Sequence, residues 1–86
     1  VDLGVVLALV SSYRNRPVDE HVIIFGEVGL TGEVRGVNMA EQRVKEAARL
    51  GFTSCILPAT NAANIAPVKG MRFLGVRNVK EAIDLI

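Results

Sequence analysis

The chain is short of cysteine, of aromatic rings and of any surplus charge, and each shortage closes off a class of function. Cys55 is the only cysteine among the 86 residues, which excludes an internal disulfide and any multi-cysteine metal site. Its setting, Ser54-Cys55-Ile56-Leu57, is that of a buried structural thiol and not of a nucleophile. Aromatic residues make up 5% of the chain, so few rings are on hand to stack on bases. Ten basic against nine acidic side chains leave a net charge of +1, and any nucleic-acid surface has to be a local patch. The apolar run from Leu3 to Val10 falls well short of the ~20 residues that span a bilayer. No basic leader or small-residue cleavage site accompanies it, so a cytoplasmic protein without a membrane partner is expected. The one histidine, His21, stands beside Asp19 and Glu20 and reads as a surface residue. The glycines from Gly26 to Gly32 are interleaved with Glu27 and followed by Glu33, the opposite of what a phosphate-cradling loop wants.

What is there is aliphatic. Half of the residues are apolar, mostly Val, Leu, Ile and Ala, which is the material of packed α/β layers. Eighty-six residues make one small domain, near the size at which stability becomes marginal. Asp2 can cap a helix over residues 3–13 whose apolar residues fall on nearly every side, the pattern of a helix covered all round. That cover has to come from elsewhere, so the chain is expected to be part of a larger domain whose preceding strands are missing. Pro17 ends this helix, and His21 to Phe25 is a β-branched run that reads as a strand covered on both faces.

Gly29-Leu30-Thr31-Gly32 then supplies a turn into a second strand, Glu33 to Val37. Ala40 to Leu50 is an amphipathic helix with Val44, Ala47 and Ala48 inward and Gly51 as its stop. Phe52 to Leu57 is a strand closed by Pro58. A helical turn over residues 61–65, capped by Thr60 or Asn61, a strand from Arg72 to Val76 and a helix capped by Asn78 complete the chain. The alternation predicts an α/β (α+β) fold, a mixed sheet with flanking helices.

Four segments in this order carry a family resemblance. They are Arg16-Pro17-Val18, the Gly26-Glu27-Val28 to Leu30-Thr31-Gly32-Glu33-Val34-Arg35 hairpin, Glu41-Gln42-Arg43-Val44-Lys45-Glu46, and Ile56-Leu57-Pro58 followed by Asn61. Together they resemble the proteolytic domain of Lon-type proteases and, more closely, the Lon-like C-terminal domain of the RadA (Sms) family of bacterial DNA-repair proteins. The resemblance implies that residues 1–86 form a Lon-like pseudo-protease domain lacking its N-terminal part. In active Lon domains a serine attacks the peptide and a helix lysine takes its proton. The family spacing puts that serine immediately before Val1 and the lysine at Arg43. A guanidinium stays protonated and cannot serve as the base, so no catalytic residue is expected.

The RadA resemblance further implies a parent protein with an upstream zinc finger and RecA-like ATPase. ATP, Mg and Zn belong to those parts, and no cofactor or metal to this domain. It also implies a homo-oligomer, a hexameric ring acting on double-stranded or branched DNA in recombination and repair. Within that reading Arg14, Arg16, Arg43, Lys45 and Arg49 are the candidate DNA contacts, with Arg43 alternatively ion-paired to Glu41 or Glu27. Two other readings stay open at this point: a fragment of an active Lon-family Ser–Lys peptidase, or of a competence-type Lon-like ATPase.

Overall fold

Side-chain caps start the first and last helices of this chain, and the connections between its elements meet at two ends of a small parallel sheet. The computed structural model describes residues 1–86. Helix α1 runs Leu3–Arg14, and the Asp2 carboxylate caps it by accepting from the Val5 N–H at 3.1 Å. Asn15 closes it in the left-handed conformation, with φ of 57°. Ser11 is buried and its hydroxyl donates to the Arg16 carbonyl, so it ties down the helix exit instead of bonding back into the helix.

Strands β1 (Val22–Ile24), β4 (Ser54–Pro58) and β5 (Arg72–Val76) form a parallel sheet in the order β1-β4-β5. Strands β2 (Glu27–Val28) and β3 (Val34–Arg35) form a separate antiparallel ribbon. The expected mixture of pairings is thus divided between two sheets. The remaining helices are α2 (Ala40–Arg49), α3 (Ala59–Asn64) and α4 (Val79–Ile83), the last capped by Asn78, which accepts from the Glu81 N–H.

The central strand alternates as a strand between two helical layers must. Ile56 faces α1 and α4 in a cluster with Leu3, Leu7, Val34, Val76 and Ala82. Cys55 and Leu57 face α2 and α3 in a second cluster with Phe25, Ala40 and Val44. Burial pushes the Cys55 thiol up to about 12, which keeps it protonated and inert, as its setting in the sequence suggested. Gly75 lets α3 lie directly on β5, because a Cβ there would meet Ala59 Cα and Ala62 Cβ at 3.2 Å.

On α1, Leu3 and Leu7 are buried while Val5 and Leu9 are 55% and 66% exposed, which is the open face for which the sequence asks cover from elsewhere. Two expectations need correction. β1 is an edge strand, so Val22, Ile23 and Ile24 are half-buried and not sealed on both faces. α3 starts at Ala59, and neither Thr60 nor Asn61 caps it. The Asn61 amide instead clamps the chain between β3 and α2, accepting from the Val37 N–H at 2.9 Å and donating to the Val37 carbonyl at 3.1 Å.

That clamp generates the first prediction. Asn61→Ala leaves both half-buried Val37 groups without a partner and should cost about 1–3 kcal/mol in denaturant unfolding. Asn64→Ala removes only an exposed bond to the Thr60 carbonyl and should stay within about 0.5 kcal/mol of the parent. Equal effects would show that Asn61 is no clamp.

A second prediction concerns pH. Glu33 accepts from the Thr31 hydroxyl at 2.7 Å and from Arg35 at 2.8 Å, and these bonds lower its carboxyl from 4.5 to about 2. A depressed carboxyl contributes its stabilisation fully above its unfolded value and loses it as pH falls through the folded one. Resonances of the hairpin tip should therefore hold from pH 7 to 4.5 and change only on the way down to about 2. Loss of the hairpin above pH 4.5 would contradict the staple.

Candidate functional site

The fold opens a cleft of about 540 Å³ along the β1 edge, between Ile23, Ile24 and Phe25 on one side and Gln42, Arg43 and Ala47 of α2 on the other. Arg43, at the position expected of the lysine, faces this cleft, and Asp2 lies at its rim. Val1 pairs with Val28, whose N–H donates to the Val1 carbonyl at 2.7 Å, and this holds Val1 against the β2–β3 ribbon.

Chemically the cleft is poor in reactive groups. No serine, threonine, cysteine, lysine or histidine lines it. Glu46 lines it, but the Arg49 guanidinium holds its carboxyl below the usual range. Arg43 makes neither of the two ion pairs open to it from the sequence. Glu41 reaches Lys45 at 3.6 Å, and no ion pair joins Glu27 to Arg43. Arg43 instead lies over the Phe25 ring, with its Cζ 5.7 Å from the centroid. It is exposed and carries its charge into the cleft mouth.

The five candidate DNA contacts do not share one face. Arg14 and Arg16 are exposed at the exit of α1, with no acidic partner in ion-pair reach. On α2, Arg43 and Lys45 are two residues apart, which places them about 200° apart around the axis, whereas Lys45 and Arg49 fall about 40° apart. Lys45 and Arg49 are each engaged, the first with Glu41 and the second with Glu46 at 2.5 Å. Exposed pairs of this kind are weak and open readily to a stronger partner. Lys69, Arg72 and Lys80 are not among the five candidates, yet they too have no acid in reach. Their signal in the sequence is a C-terminal third whose only acids are Glu81 and Asp84.

A second hollow, of about 390 Å³, lies where the parallel strands begin, and Arg72, Asp19, Ser54 and Pro17 are among its walls. His21 is exposed beside it and bonded to Asp19 through its own N–H at 2.7 Å. No group of three His, Cys, Asp or Glu side chains is placed to hold a metal ion. No helix is long and apolar enough to cross a membrane.

Comparison with known proteins adds kinship to this geometry. The family described as "Subunit ChlI of Mg-chelatase" matches residues 1–61. A protein named DNA repair protein RadA from Bacillus subtilis is 49% identical over 83 residues, covering 96% of this chain and 18% of its own length. Its namesake from Escherichia coli is 44% identical over 84 residues, covering 98% of this chain and 18% of its own. The Streptococcus pneumoniae protein of that name is 41% identical over 86 residues, with 100% and 20% covered. The chain thus spans no more than 20% of the length of these relatives.

The geometry of Arg43 predicts a mild phenotype. Arg43→Ala removes one exposed cation–π contact and should cost no more than about 1 kcal/mol. Leu7→Ala, fully buried between α1 and the sheet, should cost about 2–5 kcal/mol. An Arg43→Ala variant that melts as low as Leu7→Ala would show that the arginine is a structural anchor.

Proposed function

Since the chain belongs to the family described as "Subunit ChlI of Mg-chelatase" and is homologous to RadA proteins along nearly its whole length, we propose that it is the non-catalytic Lon-like domain of a RadA-type DNA-repair ATPase. In this reading the domain helps to hold subunits in a ring and touches duplex DNA. ATP hydrolysis, with its Mg, and a zinc finger belong to other parts of the parent protein, which works in the cytoplasm on recombination and repair. The family description mentions a chelatase, but the reading follows the relatives that match almost every residue of this chain.

The single observation that carries the proposal is Arg43 in the cleft. A lysine there could lose its proton next to a nucleophile, as burial favours the neutral amine. A guanidinium cannot, and it stays a cation at any working pH. On the Lon-like reading, a fixed positive charge stands where a peptidase keeps its base. That supports a non-catalytic domain over a hydrolytic one. The open apolar face of α1, with Val5 and Leu9, supports contact between subunits. The exposed candidates Arg14, Arg16, Arg43, Lys45 and Arg49 support contact with phosphates. Such contacts position a duplex without reading its sequence, which suits a chain with few aromatic side chains.

The test is incubation with unfolded casein and with a fluorogenic peptide. Neither the parent nor Arg43→Ala should give turnover above buffer, and Arg43→Lys should stay inactive because no hydroxyl lines the cleft. Turnover by the parent that vanishes in Arg43→Ala would overturn the proposal in favour of a peptidase.

A further inference from the structure

Parallel topology sorts the chain's connections by end, and here it also sorts the charges. Every segment that leads into a strand of a parallel sheet lies at the end where the strands begin. Val22, Ser54 and Arg72 are paired in register at that end. The α1–β1, α2–β4 and α3–β5 connections therefore meet there, and they bring Arg14, Arg16, Arg49, Lys69 and Arg72 together. The acids at this end are Asp19, Glu20, Asp84 and Glu46, the last paired with Arg49, which leaves a local balance of +1. The rest of the molecule sets Arg35, Arg43, Lys45, Arg77 and Lys80 against Asp2, Glu27, Glu33, Glu41 and Glu81, a balance of zero.

Pairing sharpens the contrast. Arg35, Lys45 and Arg77 are ion-paired, and at the strand-start end only Arg49 is. Arg14, Arg16, Lys69 and Arg72 have no acid in reach. Asp19 and Glu20 are turned to His21, at 3.3 and 3.9 Å from its ring nitrogens. Part of this has an ordinary cause: Arg14 and Arg49 sit in the last turns of helices, where cations offset the free carbonyls. Arg16, Lys69 and Arg72 lie outside every helix, so that cause does not reach them.

We infer that the end of the sheet where β1, β4 and β5 begin is the face that takes the phosphates of a DNA duplex, with Arg16, Lys69 and Arg72 as its unpaired contacts and Arg14 beside them. This rests on the DNA-contact reading above and names its surface. Strands about 4.8 Å apart put cations on the β1 and β5 sides about 10 Å apart. Phosphates of one DNA strand advance about 3.4 Å each along the axis, so that separation matches roughly three of them. The face adds Lys69 and Arg72 to the contacts and leaves Arg43, in the cleft, on another side.

The test compares two triple variants of equal charge, R16Q/K69Q/R72Q and R35Q/R77Q/K80Q, with thermal melting to confirm that each is folded. Fluorescence anisotropy with a duplex of about two helical turns is read across a salt series. The first triple should lower the slope of log affinity against log salt by about 2.7, at roughly 0.9 for each phosphate no longer neutralised, and weaken low-salt binding at least tenfold beyond the second. If it melts early, K69Q alone, in an exposed connection, should still lower the slope by about 0.9. Equal effects of both triples, or a greater effect of the second, would overturn this face while leaving the DNA reading in place. A parent chain that does not bind the duplex at low salt sinks both.

Discussion

The parallel ladder that β4 makes with β1 on one side and β5 on the other is the constraint from which the rest of this molecule follows. Cys55, Ile56 and Leu57 are all buried, and their alternation feeds two cores at once. Ile56 anchors α1 and α4; Cys55 and Leu57 anchor α2 and α3. Once that strand is in place, parallel pairing dictates that each helix runs back over the sheet, and both ends of the sheet acquire their character. The end where the strands begin collects three connections rich in Lys and Arg. The other end holds the β2–β3 ribbon.

Elements with local causes were legible in the residues. Asp2 and Asn78 cap the helices they were expected to cap, and β5 spans the five residues that read as strand. The inward face of α2 is close to the expected one, with Val44 and Ala47 fully buried. What depended on a partner elsewhere in the fold was not legible. Thr60 and Asn61 look like caps because both types cap helices, yet the Asn61 amide finds the Val37 backbone 24 residues away, a contact that no local pattern reveals.

The candidate site divides in the same way. Arg43 could be placed by family spacing, and its inability to act as a base follows from guanidinium chemistry alone. Its actual neighbour could not be read: Phe25 lies 18 residues earlier, and only the packing of α2 on β1 brings the two together. Closeness along the chain groups the basic candidates one way, whereas topology groups them by sheet end. Arg16 and Arg72 are far apart in sequence and lie at the same end of the sheet, beside the hollow that Pro17 and Arg72 line. Arg43 and Lys45 are near neighbours in sequence and face apart.

One fold thus presents two electropositive places of different kinds: a lone cation in an apolar cleft, and a wider cluster where the strands begin. The second is the proposed seat of nucleic acid. Titrating the isotope-labelled chain with a short DNA duplex and following its amide resonances tests this most directly. Shifts should concentrate in the connections that hold Arg16, Lys69 and Arg72, with Ile23 to Phe25 unmoved. Shifts centred on the cleft, with those connections unmoved, would contradict it.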